Sequence, residues 1–117
     1  MLVRQGDTTA ALPMVKECLQ SFYKLGTLER VGESVAVAAG VAHLHGDAGH
    51  AATLLSAADV LWSRTGHLAL YRNDARAEYE RLLPLVRAVL SPTEFAAAWD
   101  TGRSMTLDQV VADVMAL

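Results

Sequence analysis

The sequence predicts an all-α fold, a tetratricopeptide-like array of helical hairpins closed by two short C-terminal helices. Three observations carry that expectation. The hydrophobic share of 52% rests on Ala, Val and Leu while aromatic residues reach only 6%, a balance that suits close-packed helices better than a sheet rich in β-branched and aromatic side chains. The stretches QGDTTAALPMVKECLQSFYKLGTL and HGDAGHAATLLSAADVLWSRTGHL align without gaps, Gly46 falling on Gly6, so the chain repeats itself with a period of 40. Two further runs near the C-terminus, LSPTEF and MTLDQV, each carry a full set of helix-start signals. With 117 residues there is room for one domain with a proper core.

Repeat units span about 6–28 and 46–68. In each, a glycine able to take positive φ ends one helix, an aspartate can cap the next, and an apolar stripe follows at Ala11, Val15, Cys18 and Phe22 or at Ala51, Leu55, Ala58 and Trp62. Spacings of four, three and four residues place each stripe on one helical face. Pro13 lies inside the first of these helices and is expected to kink it. The connecting helix, about 29–45, is apolar around most of its circumference in its second half, which calls for neighbours on several sides. A period of 40 exceeds the 34 of a tetratricopeptide repeat, so the unit is only like one.

Beyond Gly66 the pattern changes. A helix over 74–90 should turn Tyr79, Leu82, Leu83, Val86 and Leu90 to one face, with Pro84 bending it, and its charges Asp74, Arg76, Glu78, Glu80 and Arg81 should form a solvated face. Ser91, Pro92 and Glu94 then make a capping box with proline at the first helical position, and Thr106 and Gln109 repeat the device. These signals place helices at 92–101 and 107–116, with Gly102 closing the first.

The net charge of −3 and pI near 5.7 leave no surplus of cations, and ten scattered Lys and Arg residues form no stripe for a phosphate backbone. Residues 92–116 could be mistaken for a DNA-binding helix pair, but the second helix carries Asp108 and Asp113 and neither Lys nor Arg. Direct nucleic-acid contact is therefore not expected. VAVAAGVAHL covers half a membrane span and MLVRQGDTTA has no apolar signal run, so a cytoplasmic chain with no membrane association is expected. Cys18, the single cysteine, sits among Val15, Leu19 and Phe22 as a small apolar residue.

AHLHGDAGH, residues 42–50, raises the question of a metal site. His43, His45, Asp47 and His50 are its candidate ligands. Residues two apart on a helix point about 200° from one another, so His43 and His45 would share a metal poorly, and the matching turn at Gly6 and Asp7 contains no histidine. The expectation is a turn with Asp47 as cap and no metal. Trp62, Tyr79, Phe95 and Trp99 are assigned to the core, Arg103 to a helix C-terminus, and Ser56, Ser63 and Ser104 have no partner histidine that the sequence can place. No phosphate-binding loop occurs, and no catalytic group or cofactor is expected.

The run GVAHLHGDAGHAATLLSAADVLWSRTG, followed by ARAEYERLLPLVRAVLSPTEFAAAWDTGRSMTLDQVVADVMAL, resembles the C-terminal helical-repeat region of large actinobacterial regulators of the LuxR type with a signal-transduction ATPase, and of related cyclase-linked proteins. FAAAWDTGRSMTLDQVVA carries the most specific part of the likeness. The resemblance implies a non-catalytic helical arm beside an ATPase core, used for protein contacts or for sensing a small ligand. One partner is expected from the repeat itself. The helix over 8–25 lacks a preceding helix against Leu12, Met14, Val15, Leu19 and Phe22, which suggests that two chains bury these ends in a homodimer.

Overall fold

Two glycines set the turns of the first hairpins. Gly26 and Gly46 have φ of 73° and 83°, the left-handed backbone that glycine adopts without a steric cost. At Gly26 the glycine N–H bonds to the Tyr23 carbonyl and the Thr27 N–H to that of Phe22; at Gly46 the pairs are Gly46 to His43 and Asp47 to Ala42. Both are Schellman closures, and they separate α1 (Thr8–Leu25), α2 (Leu28–Leu44) and α3 (Ala48–Thr65). The computed structural model describes residues 8–65 and 74–117. Expectations about Gly6, Asp7 and Gly66 lie outside the described residues. Within them there are six helices and no strand, the remaining three being α4 (Asp74–Val89), α5 (Pro92–Ser104) and α6 (Leu107–Met115). None of these helices is long and apolar enough to cross a membrane.

The connecting helix of the sequence repeat is α2, and it is the centre of the molecule. From Val31 to Ala42 every residue but Glu33 is buried, because α2 packs against α1, α3, α4 and α6. Its small residues make this possible. A β-carbon at Gly32 would lie 2.8 Å from the Trp62 indole nitrogen, so α3 approaches α2 over a bare backbone at that point. The two repeated stripes fare differently, and position explains why. Ala51, Leu55, Ala58 and Trp62 of α3 are all buried, whereas of the described side chains in the α1 stripe Val15 is buried but Cys18 and Phe22 only partly so. α3 has α2, α4 and α5 around it; α1 has α2 and α6.

The second half follows its local signals with two corrections. Pro13 and Pro84 are both exposed, and α1 and α4 continue through them. Both capping boxes form, with Ser91 and Glu94 exchanging bonds of 2.9 and 3.1 Å and Thr106 and Gln109 bonds of 2.8 and 3.2 Å. Gly102, however, does not close α5, which runs on to Ser104. It is buried against α3, where a β-carbon would stand 2.7 Å from that of Ser56 and nearer still to the Thr53 carbonyl oxygen. The glycine serves a helix crossing instead of a helix end. The charged face of α4 also departs from a purely solvated one. Arg76 and Glu80 pair at 3.2 Å as expected, but Glu78 is only 3% exposed and is held by Arg81, while the Arg76 guanidinium lies over the Trp62 and Tyr79 rings.

α6 turns back over α1 and α2. Val110 and Val114 are buried in the core, and Leu107, Val111 and Leu117 pack against it, so the apolar stripe of α6 lies on the flank of the first hairpin. The helix face that the repeat pattern left open is thus partly covered by the chain's own end.

Candidate functional site

An open cleft of about 1010 Å³ lies where the first turn of α3 meets the junction of α5 and α6. Asp47, His50 and Thr53 form one wall, Asp100, Thr101 and Ser104 a second, and Met105, Gln109 and Asp113 a third. Each wall is fixed by local chemistry. Asp47 caps α3, accepting the backbone N–H of His50 at 3.0 Å. That cap brings the imidazole beside the same carboxylate, with Nδ1 4.0 Å from Asp47 Oδ2, while Nε2 lies 2.5 Å from Oδ2 of Asp113 on α6. His50 therefore stands between two carboxylates, with Asp100 as a third on the cleft wall. No Lys or Arg lines the cleft among the described residues.

The hydroxyls around the cleft are committed to backbone carbonyls. Thr53 donates to Gly49 at 3.1 Å and to Ala98 at 3.2 Å, Thr101 to Ala97 at 2.9 Å and Ser104 to Asp100 at 3.0 Å. Ser56, fully buried, donates to the Trp99 carbonyl at 2.7 Å, and Ser63 to that of Asp59 at 2.9 Å. A serine or threonine nucleophile needs an adjacent base to take its proton. These hydroxyls instead stitch α5 to α3 or bond within their own helix.

Asp59 anchors a second polar junction, where α3, α4 and α5 meet. Arg103 reaches it at 3.5 Å, so the arginine after Gly102 finds its carboxylate partner on α3. Burial, and then the Asp59 charge, pushes the Tyr79 hydroxyl up to about 12. Tyr79 meets Trp62 edge-on with centroids 5.5 Å apart. Both are buried as expected, but the other aromatic pair is not wholly core: Phe95 and Trp99 stack at 5.4 Å, both half-buried, with the Arg87 guanidinium over Phe95.

The sequence-derived candidates separate. His50 and Asp47 belong to the cleft; His43, in the last turn of α2, and His45, its C-cap, do not line it. Among the described residues no three His, Cys, Asp or Glu side chains are grouped closely enough to hold a metal ion. Of the interaction face, Val15 and Leu19 are 1% and 0% exposed and lie inside the chain's own core, Leu12 and Phe22 are half-buried, and Met14 is 54% exposed. Val15 and Leu19 are corrected accordingly, since a second chain cannot reach them on the folded surface. Asp113 and Asp108 are the residues that sequence reasoning used only as negative charge. Asp113 pairs with His50, and Asp108 accepts a hydrogen bond from the Tyr23 hydroxyl of α1, a bond that raises the Tyr23 pKa. Comparison of the chain with protein-family models, curated proteins and solved structures returns no match.

Proposed function

We propose that this chain is a non-catalytic interaction module, a tetratricopeptide-like arm that holds a basic side chain of a protein partner in the cleft beside His50. The carrying observation is the cleft's composition. Among the described residues Asp47, Asp100 and Asp113 line it with no Lys or Arg beside them, and its hydroxyls donate to backbone carbonyls. A lysine or arginine entering there replaces water around carboxylates of which Asp47 and Asp113 are already oriented through His50. Placement beside an ATPase core in a LuxR-type regulator rests on the resemblance of FAAAWDTGRSMTLDQVVA and its surroundings. A small cationic inducer is the alternative occupant with the same chemistry.

Thermal unfolding with millimolar Nα-acetyl-arginine amide, Nα-acetyl-lysine amide and, as a control, Nα-acetyl-glutamate amide tests the reading, because a ligand of the folded state raises the melting temperature. The cationic amides should raise it, and Asp100→Asn should remove the rise. Equal shifts from all three, or a cationic shift untouched by Asp100→Asn, overturn the reading.

A further inference from the structure

α6 is held in its seat by two kinds of contact. Its apolar stripe, Leu107, Val110, Val111, Val114 and Leu117, follows the spacing of an amphipathic helix laid in a groove, and the buried pair Val110 and Val114 is at its centre. Asp108 and Asp113 flank that stripe on opposite sides, since five residues separate them on a 3.6-residue turn. One accepts from Tyr23 of α1 and the other meets His50 of α3. The seat thus has an apolar floor on α1 and α2 and a hydrogen-bond donor at each side.

The covalent joint of α6 is short. Two residues, Met105 and Thr106, join it to α5, both with extended backbone at ψ of 138° and 163°. Its start is written by its own capping box, so the helix boundary does not depend on the seat. Nine residues form a marginal helix without a surface to pack on. A short, self-capped helix on an extended joint, matched to its groove by an apolar stripe and two carboxylates, has the features of a bound peptide that happens to be in the same chain.

We propose that the groove under α6 is a docking site for an acidic amphipathic helix of a partner protein, and that α6 occupies it in cis as a built-in competitor. The partner helix carries apolar residues at the α6 spacing and two carboxylates five residues apart, one for Tyr23 and one for His50. Hydrogen-bond complementarity selects it, because the groups at the two sides of the groove, Tyr23 and His50, each bond a carboxylate, which an acidic helix supplies and a basic one does not. This surface shares its His50 edge with the basic-group pocket, whose third wall carries Asp113 of α6, and it turns that reading of an interaction module into one with two adjoining ligands of opposite charge.

A labelled peptide with the sequence of residues 105–117, blocked at both ends, tests this on the full chain. Weakening the internal competitor raises the open fraction, and apparent affinity rises with that fraction. Asp108→Asn in the chain should therefore tighten peptide binding by about fivefold or more, and asparagine at both peptide aspartates should weaken it by a similar factor. Peptide addition should also speed amide exchange at Val110 and Val114 of the chain, the sign that α6 has been displaced. Absence of binding, affinity indifferent to the peptide's carboxylates, or binding without faster exchange at those two valines overturns the proposal. Asp100→Asn leaves peptide binding unchanged if the groove is the site, so failure of the cleft reading and failure of the groove are told apart.

Discussion

Gly102 of α5 lies against the Thr53 carbonyl of α3 with no room for a β-carbon between them, and the Ser56 side chain closes the same gap from the next turn. Around that contact the Thr53 and Ser56 hydroxyls donate to the carbonyls of Ala98 and Trp99. The crossing of α3 and α5 is therefore set by a missing side chain and two hydroxyls, with the cleft at one edge of it. Gly102→Ala should force the helices apart and cost on the order of 1–3 kcal/mol, the usual range for overpacking a close contact. Urea unfolding measures it, and a change under about 0.5 kcal/mol would mean that the helices separate freely.

That contact also marks the boundary of what the sequence discloses. The capping boxes at Ser91 and Thr106 were legible because each is completed within four residues, as was Asp47 as the cap of α3. Gly102 was not. A glycine near a helix end has the same local signature whether it turns the chain or admits a neighbour, and the deciding atoms belong to Thr53 and Ser56. The pairing of His50 with Asp113 spans 63 residues, so no local pattern reports it; the histidine-rich turn drew notice to His43 and His45, which the helix carries away from the cleft. The repeat itself was legible through its stripe, yet its two copies differ in burial because one lies inside the array and the other at its end.

The two tryptophans should separate in the same measurement. Trp62 is 4% exposed and packed against Gly32 and Tyr79, so Trp62→Ala should cost about 3–5 kcal/mol. Trp99 is half-buried and contributes its carbonyl, which alanine keeps, to Ser56. Trp99→Ala should cost less than half as much, and equal losses would show that the Phe95–Trp99 stack belongs to the core.

Replacing His43 and His45 together by glutamine should change stability by less than about 0.5 kcal/mol, as for surface substitutions away from special contacts. His50→Gln should instead hasten amide exchange across α6, because it removes the tie to Asp113. Exchange in α6 unchanged by His50→Gln, or lost equally in the double variant, contradicts the assignment of these histidines.

Thr106→Ala removes the side-chain half of the α6 cap and should cost about 1 kcal/mol. The loss should appear first as faster exchange at Gln109 and Val110, with α2 unaffected. Circular dichroism alone would understate it, since α6 is a small part of the helical content.

Two groups give opposite pH slopes. The folded Tyr79 hydroxyl keeps its proton to about 12, whereas the unfolded phenol loses its proton near about 10. Its contribution is full below the unfolded value and is lost as pH rises toward the folded one, so stability should fall between those limits, and Tyr79→Phe should flatten that fall. Glu94 is shifted downward by the Ser91 backbone N–H that its carboxylate accepts. Its contribution is present above the unfolded carboxyl range and is lost as acid titrates the folded group; Glu94→Gln should remove that acid slope. Unchanged slopes in either variant would assign the pH dependence to other groups.

The burial of α2 on all sides has a consequence for the order of synthesis. Its neighbours are made both before it, in α1, and after it, in α3, α4 and finally α6. A nascent chain that has reached Ser104 has its central helix and both hairpin turns in hand but still shows the ribosome exit and the surrounding chaperones the seat of Val110 and Val114. The apolar centre is sealed by α6, so the seat of Val110 and Val114 is guarded against aggregation only once α6 has left the tunnel. A messenger that slows translation before residue 105 would lengthen that exposed interval, and one that slows it earlier, within α2, would not.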